Sequence, residues 1–140
     1  MGIIRDADND PAGAFQSVCD SLSRNGLPAP DRIGRPSLGS PPIVRVMVLP
    51  DGQKPGMLET LCMESVRDDK IMPCIDRFFE CAGDLGHLPS QMDKAKVQVY
   101  LASRREQGLR IGESAHSGYW PFQDGAFDDL RRFLIEVSNP

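Results

Sequence analysis

The sequence predicts an α/β fold in which a small, mostly parallel sheet is flanked by helices in one domain. Two apolar runs rich in branched residues, Ile3-Ile4 and residues 43–49, read as strands covered on both faces. Several other segments repeat apolar residues at the i, i+3, i+4, i+7 spacing of one helix face. A chain of 140 residues that is 40% hydrophobic suits a single globular domain with its own core.

The elements follow in order. Ile3 and Ile4, between Gly2 and Arg5, form the first strand, and an acidic turn containing Asp6, Asp8 and Asp10 comes directly behind it. Pro11 suits the first position of a helix capped by Asp10. That helix runs over 11–25, with Phe15, Val18, Cys19 and Leu22 on one face and Asn25-Gly26 as its stop. Prolines 28, 30, 36, 41 and 42 make residues 27–42 a stiff, extended crossover. Residues 43–49 form the second strand, which Pro50 ends.

Beyond it, residues 56–66 read as a short helix with Glu59 in its first turns. Residues 71–85 read as a stronger one, through the stripe Ile71, Ile75, Phe78, Phe79, Ala82 and Leu85. The segment 90–105 fits two patterns. Ala95, Val97, Val99 and Leu101 alternate as in a strand, while Met92, Ala95, Val99 and Ala102 fit a helix started by Ser90, which is the preferred reading. A last helix over 126–137 carries Phe127, Leu130, Phe133, Leu134 and Val137. Two strands are few for this many helices, and the first starts at residue 2 with nothing upstream to pair with it. The expectation is a sheet that lacks one or more N-terminal strands.

Charge and cysteine content narrow the function. The net charge of −4 argues against a surface that coats nucleic acid indiscriminately. A local basic stretch, Lys94, Lys96, Arg104, Arg105 and Arg110, reads first as a solvated helix face and second as a track for a phosphate backbone. Cys19, Cys62, Cys74 and Cys81 contain no C-x-x-C pair and read as reduced core thiols. No apolar run is long enough to cross a bilayer, and acids at positions 6, 8 and 10 rule out a signal-peptide core, so the expectation is a cytoplasmic protein without membrane partners. His87 and His116 lack ligand spacing. Tyr119-Trp120-Pro121-Phe122 reads as an aromatic lock on a loop, with base stacking as the alternative.

The acids are the strongest chemical signal. In open parallel sheets ligands gather at the carboxyl ends of strands, and here Asp6 and Asp8 follow the first strand and Asp51 the second. In an extended segment Asp6 and Asp8 face the same side, about 7 Å apart. Like charges at that spacing are best tolerated around a cation, and hard oxygen donors suit Mg²⁺ or Mn²⁺ completed by a phosphate substrate. The chemistry implied is phosphoryl transfer or phosphodiester cleavage. The competing reading is a solvated acidic turn. An EF-hand counted from Asp6 fails, because Pro11 stands where glycine is needed and Ser17 where glutamate is needed. A haloacid-dehalogenase-like phosphatase expects Ser or Thr at the end of the next strand, where this chain has Leu49-Pro50-Asp51.

The segments GIIRDADNDPAGAFQSV, VMVLPDGQKPGMLETLC, KAKVQVYLASR and RIGESAHSGYWPFQDGAFDDLRRFL together resemble an uncharacterised prokaryotic family, domain of unknown function family 3226, with a TOPRIM-like fold. The resemblance covers nearly the whole chain. TOPRIM-like domains occur in topoisomerases, primases and overcoming-lysogenisation-defect nucleases, and share a glutamate after an early strand and an Asp-x-Asp after a later one. By that resemblance Asp6 and Asp8 match the metal-holding Asp-x-Asp. The glutamate motif is absent, and Glu59, in the stretch G-M-L-E, is the candidate catalytic acid. What the resemblance implies is a Mg²⁺ site with ancestral nucleic-acid phosphodiester chemistry, its missing part absent or supplied by a second chain in a homodimer. A non-catalytic interaction or dimerisation module and a small-molecule phosphatase are the alternatives.

Overall fold

The computed structural model describes residues 1–139. Its elements are β1 (Gly2–Asp6), α1 (Pro11–Arg24), β2 (Arg45–Leu49), α2 (Leu58–Ser65), α3 (Met72–Asp84), α4 (Met92–Ala102), α5 (Ile111–His116), a 3₁₀ turn (Gly125–Phe127) and α6 (Asp128–Ser138). The chain is α/β, as the sequence predicts, and forms two compact units. One comprises Met1–Leu58 together with the segment from Phe127 onward, and the other comprises Glu59–Ala126.

In the first unit β1 and β2 pair in parallel, from Gly2 opposite Arg45 to Asp6 opposite Leu49. Strand alternation sends Val44, Val46 and Val48 to one face, where they form a core with Ala7 and Leu22 and pack against Ile3, Phe15, Val18 and Leu27. α1 therefore covers that face. The opposite face meets α6, where a Cβ on Gly2 would come within 2.8 Å of the Val137 side chain. Arg45 there pairs with Glu136 at 3.0 Å.

β2 is buried along its length apart from Arg45, which is intermediate. β1 differs from the covered strand expected of it. Ile4 is 43% exposed, because β1 has a neighbour on one edge only. The proline-rich crossover is irregular as predicted, and it also satisfies the far edge of β2. Gly34 N–H donates to the Val46 carbonyl (2.8 Å), Ser37 N–H to the Val44 carbonyl (2.7 Å), and Val44 N–H to Ser37 Oγ (2.9 Å). These bonds meet a buried strand's need for backbone partners without a third strand.

The second unit contains α3 to α5 and α2 from Glu59 onward. Residues 92–102 are helical, which settles the ambiguous segment. The short helix α5 was not anticipated; its start is marked by Glu113, whose Oε2 accepts from the Arg110 N–H at 2.8 Å. Trp120 is buried and stacks on Tyr100, with ring centroids 5.1 Å apart, and its Nε1 donates to Ser114 Oγ at 2.8 Å. The aromatic segment thus serves as a lock. Arg104 is not part of a free basic face: its guanidinium lies 3.9 Å from the Tyr100 ring centroid and pairs with Asp69 at 2.9 Å. Lys96 likewise pairs with Asp76 at 2.7 Å. The cysteines divide. Cys19 and Cys62 are buried, but Cys74 and Cys81 are exposed, because α3 buries Met72, Ile75 and Phe79 and turns its other side to solvent. Among the described residues no helix is long and apolar enough to cross a membrane.

Candidate functional site

The turn behind β1 gives its three acids three different settings. The chain leaves the sheet at Ala7, which is buried and still donates its N–H to the Leu49 carbonyl at 3.1 Å. Asp8 then adopts a left-handed backbone, φ +50°, a conformation that Asp and Asn tolerate better than most residues. There it forms an antiparallel bridge with Gly56, Asp8 N–H to Gly56 carbonyl at 2.9 Å and the reverse at 2.8 Å. The Asp10 N–H closes the turn onto the Ala7 carbonyl at 2.9 Å.

Asp10 is the cap of α1, as expected: its Oδ1 accepts from Gly13 N–H at 2.9 Å, and Pro11 follows at the first helical position. Gly13 is required by that cap, since a Cβ there would overlap the Asp10 carboxylate. Asp6 is partly buried, and its Oδ1 accepts from the Leu58 N–H at 3.0 Å, tying the loop after β2 to the end of β1. Asp8 is exposed. The strand alternation that would place Asp6 and Asp8 on one side does not extend through Asp8, because β1 ends at Asp6 and the bridge to Gly56 reverses the local backbone.

Around these acids lies a shallow groove of about 300 Å³ lined by Arg5, Asp6, Asp8, Asn9, Asp10 and Ser17. It combines carboxylates, an amide oxygen, a hydroxyl and one guanidinium at the N-terminal end of a 14-residue helix. Arg5, Asn9 and Ser17 were not singled out from the sequence. The signal available for them was their closeness to the acids: Arg5 and Asn9 flank the Asp-x-Asp, and Ser17 lies one helical turn beyond Gly13.

Asp51 is placed elsewhere. Its Oδ1 accepts from the N–H groups of Gln53 (2.9 Å) and Lys54 (2.8 Å), so it builds its own turn. Burial pushes the Asp51 carboxyl up, and the two N–H bonds and the Lys54 ammonium outweigh it, leaving the group below its ordinary value. It borders a different cleft, beside Met47, Phe133 and Arg132. Glu59 belongs to the second unit, in the first turn of α2. Within that unit burial, helped by the Glu59 charge, pushes the Cys62 thiol up to about 12.

The donor set bears on which metal would fit. Among the described residues no three His, Cys, Asp or Glu side chains come together as a metal cage. A Zn²⁺ site of three or four protein ligands is therefore not formed by them. Mg²⁺ needs less from the protein, since it is held through one or two carboxylates, retains several waters and takes substrate phosphate oxygens. Asp6, Asp8 and Asn9, which line the one groove, are hard oxygen donors of the type such an ion takes.

Comparison with known proteins adds the family. The family described as "Protein of unknown function (DUF3226)" matches residues 1–139. No curated protein and no solved structure matches.

Proposed function

The chain belongs to the DUF3226 family of proteins of unknown function, and from that premise we propose that the groove behind β1 binds a divalent cation through Asp6 and Asp8 and serves phosphodiester chemistry of a TOPRIM-like kind. The observation that carries this reading is the setting of Asp8. An acidic side chain is held at φ +50° by a backbone bridge, exposed at the mouth of a groove that Asp6 also lines. A merely solvated turn is as well served there by glycine or asparagine.

In this reading Asp8 is the principal ligand, because Asp6 already gives one oxygen to Leu58 N–H and has the other for a cation. A bound Mg²⁺ or Mn²⁺ would neutralise the Asp6 and Asp8 charges and polarise a phosphoryl oxygen. Arg5 supplies positive charge at the groove for an anionic substrate. Glu59 is the proposed proton-transfer group, and nucleic acid is the proposed substrate class. The alternative with a specific observation behind it is an interaction module: β1 has one edge free of any described strand.

The test is a calorimetric titration of wild type, Asp6→Asn and Asp8→Asn with Mg²⁺ and Mn²⁺, followed by cleavage assays on single- and double-stranded nucleic acid. Saturable binding lost in Asp8→Asn supports the site, and metal-dependent cleavage lost in Asp8→Asn and Glu59→Gln supports the chemistry. A wild type that takes up neither ion refutes both.

A further inference from the structure

We propose that β1 is the pairing edge for a second copy of this chain, joining two sheets into one across a two-fold axis. The ladder itself exposes that edge. Met1 carbonyl and Ala7 N–H bond to β2, so the odd-numbered residues of β1 face β2, and Gly2, Ile4 and Asp6 direct their N–H and C=O groups away from it. No described strand takes those groups up. An open strand edge beside exposed apolar surface is a template for pairing with another chain.

The surface beside the edge is suited to burial. A groove of about 470 Å³ runs between β1 and α1, lined by Met1, Ile3, Ile4 and Arg5 of the strand segment and by Val18 and Leu22 of the helix. Ile4, at the centre of the edge, is 43% exposed. On α1 the groove side presents two small residues one turn apart, Ser17 and Ser21.

Self-pairing is favoured over an unrelated strand by the order of charges. An antiparallel register centred on Ile4 sets Ile4 opposite Ile4 of the other copy, Gly2 opposite Asp6, and Ile3 opposite Arg5. All three outward-facing residues then pair, and no like charges stand directly opposite. Moving the register by two residues puts Arg5 opposite Arg5 in one direction and Ile3 opposite Ile3 in the other, and either way leaves one end of the edge unpaired. The two-fold axis keeps both α1 helices on one face of a four-stranded sheet, and the two acidic turns fall at opposite ends of the new ladder, roughly 14 Å apart along the strand. Ile4 lies outside the acid groove, so substitutions there test the pairing apart from the metal reading.

The test uses the full chain in analytical ultracentrifugation from micromolar to submillimolar concentration, with amide hydrogen exchange at both ends of that range. The expected result is a concentration-dependent dimer in which the Ile4 and Asp6 amides become protected. Ile4→Lys, which sets two ammonium groups opposite each other, should weaken association by about tenfold or more with an unchanged circular dichroism spectrum. Ile4→Pro is a second variant: it removes an outward N–H and spares the β1–β2 ladder, so it too should be a folded monomer. A wild type that stays monomeric with freely exchanging Ile4 and Asp6 amides overturns the proposal and leaves the edge to a strand from another protein. A dimer that survives both substitutions also overturns it and assigns the contact to another face.

Discussion

The settings of Asp6 and Asp8 predict the same order of cost, alanine above asparagine, from two different causes: a lost side-chain acceptor at Asp6 and backbone conformation at Asp8. Asp6→Ala removes the acceptor of the Leu58 N–H, a 3.0 Å bond to a carboxylate in a partly buried position. Hydrogen bonds to charged groups are worth about 1.5–3 kcal/mol, and partial exposure places this one near the lower end, about 1.5 kcal/mol. Asp6→Asn keeps an oxygen in the same place and should cost well under about 1 kcal/mol. At Asp8 the carboxylate is exposed, and the cost lies in the backbone. Alanine at φ +50° should lose about 1 kcal/mol, while asparagine, which tolerates that conformation, should lose almost nothing. Urea denaturation followed by far-ultraviolet circular dichroism is the assay, because Trp120, the single tryptophan, reports on the other unit. The reasoning is refuted if Asp8→Asn destabilises as much as Asp6→Ala. The Asp8 carboxylate would then be a structural group, and its exposure at the groove mouth would carry no functional meaning.

Other consequences concern the second unit. Ser114→Ala leaves the buried Trp120 indole N–H without its 2.8 Å acceptor, and should cost about 1–3 kcal/mol in urea unfolding followed by tryptophan fluorescence. Asp69 is held below its ordinary carboxylate value, first by the Ile71 N–H, against the opposing effect of burial, and then by Arg104 and Tyr100. Its folded pKa is thus the lower one, so its contribution is fully present above the unfolded value of 3.8 and is lost as pH falls through the folded value. Asp69→Asn should flatten the acid limb of the stability profile below that point and leave its neutral limb parallel to wild type. A thiol reagent at neutral pH should modify Cys74 and Cys81 quickly in the native protein, and Cys62, buried with its thiol pushed up to about 12, only on unfolding. Four fast-reacting thiols would contradict the burial assigned to Cys19 and Cys62.

The sequence revealed most where a local rule decides the outcome. Asp10-Pro11 announced the start of α1 because a cap and a helical first position are local requirements, and the branched run before Pro50 announced β2 for a similar reason. It revealed least where a distant partner decides. Nothing near Asp8 indicates that Gly56 will bridge to it and turn it out of the strand alternation, and nothing near Val44 and Val46 indicates that Gly34 and Ser37 will take their carbonyls. Cys74 and Cys81 were misjudged because apolar residues surround them in sequence, while on α3 the buried stripe runs through Met72, Ile75 and Phe79. Arg104 looked like one of a basic run because its partner, Asp69, lies 35 residues away. For the site, residue types and strand context were legible, and the division of work between Asp6 and Asp8 was not.

That division lets the metal reading and the pairing reading be tested on one strand without confusion. Asp6 belongs to both: its backbone lies on the open edge of β1, and its side chain lines the acid groove. Ile4 and Asp8 belong to one each. If the two sites are independent, Ile4→Lys should bind Mg²⁺ as wild type does, and Asp8→Asn should dimerise as wild type does. If the second copy contributes to the acid site, Ile4→Lys should lose metal affinity although every carboxylate is intact. That result would mean the charge at one turn is completed across the two-fold axis. The two acidic turns lie roughly 14 Å apart in the proposed register, too far for one ion to bridge, so independence is the outcome that register requires. Loss of Mg²⁺ binding in Ile4→Lys would therefore refute the register centred on Ile4 even if the protein is a dimer.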